Sequence, residues 1–201
     1  MTTIEKPELT ALLGSRICHD LISPIGAIGN GIELLMMDGG TSSPELALIV
    51  DAVANANARI RFFRVAFGAS GSSEQRIGRA EVTNILSDLT RGGRLMIDWQ
   101  TPNDLSRREV KLAFLSVQCL ESAMPQGGRV MVEKGDTRWT LRAEATRLKV
   151  EPDLWEVLSN PGAHPDLGPG QVHFALLREE LSRQHRRLTV EIRDAEVRIS
   201  F

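Results

Sequence analysis

Apolar side chains recur every three or four residues through the first third of the chain. Ile17, Leu21, Ile25, Ile28, Ile32 and Leu35 fall on one side of a helix of 3.6-residue period. The spacing predicts a first helix from about Glu8 to Met37, with Pro7 in its first turn and Asp38-Gly39-Gly40 as its stop. Ser43 and Pro44 then supply an N-cap and a first helical residue. Leu46, Ile49, Val53, Ala56, Ile60, Phe63 and Phe67 follow at steps of 3, 4, 3, 4, 3 and 4, an a/d seam that ends the second helix near Phe67. Two seamed helices with a short connection form an antiparallel hairpin. A hairpin alone leaves much of both seams wet. The expected assembly is therefore a homodimer whose hairpins make a four-helix bundle; the alternative is that the remainder of the chain covers the hairpin within one monomer.

The pattern changes after Gly68-Ala69-Ser70-Gly71-Ser72-Ser73, a flexible linker by composition. The expected organisation is a helical hairpin over 1–68, a linker over 69–77 and a second domain over 78–201. In that domain helix and strand patterns alternate. Glu81 to Asp88 reads as a short helix, Leu95 to Trp99 as a strand, and Ser106 to Ala123 as a helix closed by Met124-Pro125-Gln126-Gly127-Gly128. Val130 to Glu133 and Trp139 to Ala145 pair around Gly135-Asp136. A short helix near Pro152 to Leu158, a Pro/Gly-rich loop at 161–170, a helix from Val172 to Gln184, and a last hairpin of Leu188 to Ile192 with Glu196 to Phe201 complete the chain. Helices on one face of a mixed, mostly antiparallel sheet make an α+β sandwich, so the fold class is a helical hairpin followed by an α+β domain. Trp99, Trp139 and Trp155 are expected in the core of that domain.

Composition narrows the function classes. With 201 residues and 42% apolar content, a packed core is expected. A net charge of −2 leaves no nucleic-acid footprint and no polybasic membrane anchor. Cys18 and Cys119 are far apart and form no C-x-x-C motif, which suits a reducing compartment. The start, MTTIEKPELT, lacks a signal peptide's basic and apolar regions, and no run reaches the ~18 apolar residues of a membrane span. A soluble, cytoplasmic protein is expected.

One feature of the first helix is not explained by packing. At about 100° per residue, His19 lies about 160–180° from the apolar seam, on the outer face. Ile22, Ser23, Gly26 and Asn30 follow on that face, and their mostly small side chains would let another protein approach closely. Phe62, about 140° off the second helix's seam, would stand level with His19 as an exposed aromatic contact. Three readings of His19 are open: a solvated surface histidine, a metal ligand, or a nucleophile. His164, His173 and His185 show no ligand spacing with it. A neutral imidazole nitrogen can attack phosphorus, Asp20 could hydrogen-bond the other nitrogen, and Pro24 removes a backbone N–H just past the site.

The string HDLISPIGAIGN resembles the H-box of two-component signalling dimerisation domains, a His followed by an acid and, at the fifth position after it, Pro. The resemblance covers both helices and implies that His19 is the phospho-accepting residue of a dimeric bundle, with Asp20 orienting its imidazole. The element order of the second domain is similar to the ATP-binding (Bergerat) domain of histidine kinases. Leu112 to Val132, LAFLSVQCLESAMPQGGRVMV, looks like the kinase N-box helix with its Pro-x-Gly-Gly turn. The expected Mg²⁺-holding Asn falls at about Cys119, with Gln118 beside it. No D-x-G-x-G turn accompanies the hairpin WTLRAEATR, and only Gly168-Pro169-Gly170 stands where a glycine-rich lid would wrap the triphosphate.

A kinase-like fold without nucleotide boxes, joined to an H-box hairpin, resembles the ChpT type of histidine phosphotransferase along nearly the full chain. That family relays phosphoryl groups from the receiver domain of a hybrid histidine kinase (CckA type) to response regulators (CtrA and CpdR types). The resemblance implies a phosphotransferase without autokinase activity, without a cofactor of its own, and with Mg²⁺ supplied by the receiver. The receiver would dock over Arg16, Ile22, Ser23, Gly26, Asn30 and Phe62, with Arg16 screening the phosphoryl charge and Arg59, Arg61 and Arg64 fringing the site. Two other readings are a histidine kinase with a divergent ATP site and a receiver-binding scaffold that transfers nothing.

Overall fold

The computed structural model describes residues 6–37, 43–69, 75–160, 162–163 and 166–201. The first helix, α1 (Lys6–Met37), is continuous through Pro24, and α2 is Pro44–Ala66. Ser43 caps α2 as expected, its Oγ accepting the Leu46 N–H at 3.2 Å, with Pro44 in the first turn. The expected stop at Asp38-Gly39-Gly40 lies outside the described residues. The helices run antiparallel, with Gly29 facing Val53 near one end and Gly14 facing Phe67 at the other.

The rest of the chain runs β1 (Arg76–Ile77), α3 (Arg79–Thr90), β2 (Leu95–Trp99), β3 (Leu105–Ser106), α4 (Arg107–Ser122), β4 (Gly128–Lys134), β5 (Trp139–Glu144), α5 (Pro152–Ser159), a 3-10 turn at Pro169–Gln171, α6 (Val172–Arg183), β6 (Thr189–Ile192) and β7 (Glu196–Ser200). Five strands form one sheet in the order β2-β4-β5-β7-β6, and β1 pairs with β3 in a separate two-stranded ribbon. Only β2 and β4 pair in parallel within the larger sheet. The turn before β4 needs its glycine, because Gly127 has φ +88 and packs on the backbone of Arg94.

Alternation along the strands assigns the faces. Val130, Val132, Trp139, Leu141, Ala143, Val197 and Ile199 point inward and are fully buried. Met131, Arg142 and Arg198 alternate with them on the opposite, half-exposed face. The inner face is covered by α4, which is buried nearly all round from Val110 to Leu120 because the sheet, α6 and α2 enclose it. Trp99, Trp139 and Trp155 lie in this core, as their positions in the strand and helix patterns led us to expect.

Two expectations are corrected by this packing. The stretch 69–77 is not linker to its end, since β1 takes its last two residues and Ile77 is buried. Two residues are too few to leave a periodic signal. Phe62 is not a surface residue: its exposure is 1% and its ring stacks on Phe114 with centroids 4.5 Å apart and planes 4° from parallel. Phe62 does lie off the seam, but that side of α2 faces α4 rather than solvent. The core therefore passes from the second domain into α2, taking in Phe62, Val65 and Ala66. The rest of the chain covers the C-terminal half of α2, where Ala58 and Ile60 are also buried. It leaves the other half open, with Leu48 70% and Ile49 48% exposed.

Candidate functional site

The helical phase of α1 sets which side chains leave the protein at the His19 turn. Cys18 points inward and is buried, its thiol pushed up by burial and eased down by the charge of Arg64. His19, the next residue, points outward with 82% of its side chain exposed. Its Nδ1 lies 3.2 Å from Asp20 Oδ1. The other oxygen, Oδ2, accepts from Arg16 Nε at 2.7 Å across one helical turn. The Asp20 carboxyl is held below its usual range, first by the hydrogen bond with His19 and then by that with Arg16.

This arrangement has a chemical consequence. A carboxylate accepts only, so in the neutral ring this contact selects the tautomer that carries its proton on Nδ1. The lone pair of Nε2 then faces solvent, away from the protein. Imidazole is a nucleophile in that form. Pro24 stands four residues after Asp20 and has no N–H, so the Asp20 carbonyl lacks its helical partner. The helix turn past His19 is thus held by one backbone bond fewer.

The residues predicted to form a stripe beside His19 differ in exposure. Ser23 and Asn30 are exposed, and Ile22 and Gly26 are half-buried. A Cβ built on Gly26 would meet nothing within 4 Å, so the surface there is open. Phe62 is not part of this surface. Arg16, expected to screen an incoming phosphoryl group, is paired with Asp20 and stays largely exposed. Of the α2 arginines, Arg61 pairs with Asp88 at 3.2 Å and Arg59 donates to Asn55 Oδ1 at 3.2 Å. Only Arg64 reaches the His19 turn, through its field on Cys18.

Cys119, about where the resemblance to a kinase N-box helix put the Asn, is fully buried and its thiol is pushed well up by that burial. Gln118 is half-buried. His173 is buried on α6, which holds its pKa down to about 4 because the charged ring would lose its hydration. His164 lies outside the described residues. Among the described residues, no group of three His, Cys, Asp or Glu side chains could hold a metal ion. Nor is any described helix long and apolar enough to cross a membrane.

The sequence reading missed Ser15 and Lys111. Ser15 Oγ accepts the Ala69 N–H at 3.0 Å, one turn before His19. Lys111, 5% exposed, donates to the Gly68 carbonyl at 2.9 Å. A lysine inside the apolar run of α4 is the one signal that could have drawn attention to the second contact.

Comparisons with known proteins identify a family. Residues 79–196 match the family described as the histidine phosphotransferase C-terminal domain. Over 169 residues, 82% of this chain and 79% of the relative, the sequence is 38% identical to the protein phosphotransferase ChpT of Brucella abortus (strain 2308). The solved structure of a bacterial phosphotransferase superposes with a TM-score of 0.69 at 28% identity, over 99% of this chain and 98% of that one.

Proposed function

This chain belongs to the histidine phosphotransferases, and from that premise we propose that it relays a phosphoryl group between receiver domains through His19. The observation that carries the assignment is the pairing of His19 Nδ1 with Asp20, which leaves Nε2 outward on an open helix face. The donor is an aspartyl phosphate on the receiver domain of a hybrid histidine kinase (CckA type). Nε2 attacks the phosphorus in line; a P–N bond forms as the bond from phosphorus to the aspartate oxygen breaks, and the receiver recovers its carboxylate. The proton on Nδ1 stays directed at Asp20, whose charge offsets the positive charge on the ring. A response regulator of the CtrA or CpdR type then docks on the same face and takes the phosphoryl group onto its own Asp.

The receiver supplies Mg²⁺ in this scheme, and the relay contributes position rather than a metal. Ile22, Ser23, Gly26 and Asn30 form the landing surface. The protein acts as a homodimer. Support for that comes from Ile17, Leu21 and Ile28 on α1, which are 50%, 44% and 52% exposed, and from Leu48 and Ile49 on α2. A second hairpin laid over these side chains would bury groups worth about 1.5–3 kcal/mol each when fully covered. The second domain is a kinase-like fold that has lost nucleotide, a reading supported by the buried Cys119 where a Mg²⁺ ligand would stand.

Labelled transfer tests the assignment. A receiver carrying radiolabelled aspartyl phosphate is mixed with the protein, and label is followed on each partner. We expect label on the wild type, none on His19→Ala, and no label on either from ATP alone. Transfer retained in His19→Ala rejects the site, and autophosphorylation from ATP moves the protein to the kinases.

A further inference from the structure

The peptide group between Gly68 and Ala69 is held at both ends by side chains from distant parts of the chain. Its carbonyl accepts from Lys111 Nζ at 2.9 Å, and its N–H donates to Ser15 Oγ at 3.0 Å. Lys111 belongs to α4 in the second domain, and Ser15 to α1, one turn before His19. One planar unit thus bridges the core of the second domain and the turn that carries the histidine. Ser15 and His19 lie on the same side of α1, about 40° apart and about 6 Å along the axis.

Two further features show that the bridge is built rather than incidental. A Cβ at position 68 would collide with the Arg64 carbonyl and approach Ser15 Oγ to 3.1 Å, so only glycine lets this peptide sit where both contacts reach it. Lys111 is buried beside Glu180, itself 3% exposed, with Nζ 3.8 Å from Oε2. A buried ion pair is weak evidence of stabilisation, because desolvation offsets the attraction. A positive charge on a carbonyl also polarises the peptide and strengthens its N–H as a donor, here toward Ser15.

We propose that Ser15 and Lys111 are positioning residues for phosphoryl transfer at His19, acting through the Gly68–Ala69 peptide to fix the α1 turn against the second domain. The inference rests on His19 being the phosphoryl acceptor. His19 is itself almost free of packing, so its place relative to a docked receiver is set by the backbone beneath it. In-line attack is sensitive to that place, since a shift of about 1 Å can cost about 10²-fold in rate. This gives the domain that no longer carries nucleotide boxes a mechanical part in the transfer.

The test is single-turnover transfer from a phosphorylated receiver domain to the full chain, across a range of receiver concentrations. The variants are Ser15→Ala, Ser15→Thr and Lys111→Met. Removal of Lys111 still leaves Glu180 with Arg108 at 3.9 Å, Arg183 at 4.0 Å and Gln184 Nε2 at 2.9 Å, so no buried charge is orphaned. Ser15→Ala and Lys111→Met are expected to lower the saturating rate about tenfold with the half-saturating concentration unchanged. Ser15→Thr keeps the hydroxyl and should transfer within about twofold of wild type. Exchange of the Ala69 amide with solvent should accelerate in Ser15→Ala and not in Ser15→Thr. A wild-type saturating rate in Ser15→Ala, a loss confined to half-saturation, or failure of Ser15→Thr to restore the rate overturns the inference while leaving His19 as acceptor. A wild-type rate in Lys111→Met overturns the part assigned to the second domain. Absence of label on His19 in the wild type instead removes the functional assignment itself.

Discussion

Replacing Phe62 by Ala separates two meanings of the same residue. As a docking contact its loss would weaken receiver binding and leave folding alone. As a core residue its loss opens a cavity beneath α2. The ring is 1% exposed, stacks on Phe114 at 4.5 Å and meets Phe63 edge-on at 6.2 Å. Truncating a buried Phe costs about 3–5 kcal/mol, of which the stacked pair accounts for about 0.5–1.5 kcal/mol. For a chain of this length about 4 kcal/mol lowers the melting temperature by about 8–16 °C. Phe62→Leu keeps most of the volume and should cost roughly 1–2 kcal/mol. Melting would be followed by circular dichroism at one fixed protein concentration, since a dimer's midpoint depends on it. Transfer to His19 would be measured well below the midpoint, where we expect it to persist. A melt within about 2 °C of wild type, together with lost transfer, would refute the packing argument and return Phe62 to the docking surface.

Acid should destabilise the fold through His173. Burial holds its pKa at about 4 against 6.5 unperturbed, so the folded protein binds fewer protons than the unfolded chain between those values. This contribution is complete above about pH 6.5 and is lost as pH falls toward about 4, a change of about 3 kcal/mol. Denaturant melts of wild type and His173→Phe across that range should diverge by this amount; parallel curves would show that His173 is not buried neutral. At the start of α4, Ser106 Oγ accepts the Glu109 N–H at 3.3 Å while Glu109 reaches back to the Ser106 N–H. Ser106→Ala should cost about 1 kcal/mol and about 2–4 °C in melting temperature, and an unchanged melt would mean that the capping box contributes nothing.

Much of the fold was legible because periodicity and punctuation agree. Ser43-Pro44 starts α2 where its capping chemistry says it should, and β2 spans Leu95–Trp99 as the apolar run suggests. His19 and Asp20 were legible because adjacent residues on one helix turn report directly on each other. What periodicity cannot report is which element covers a given face, and Phe62 shows the difference. The bridge to the His19 turn was hidden for a related reason. Its contacts join residues 43 and 54 positions apart, and neither a serine in a helix nor a glycine after one announces a partner at that separation. Arg16 was placed beside the phosphoryl group by proximity, and the structure pairs it with Asp20 across one helical turn.

The hairpin is unevenly buried, so within one protomer its two ends are held differently. One end is set in the core at Phe62, Val65 and Ala66, and the other projects beyond it. If the projecting end swings, the excursion of any residue grows with its distance from the fulcrum near Ser15. At 1.5 Å per residue, His19 stands about 6 Å from that point and Met37 about 33 Å. A sway that carries the tip of α1 through several ångströms moves the imidazole by about a fifth as much. His19 therefore stands near the anchored end, where a displacement of the α1 tip would be felt least.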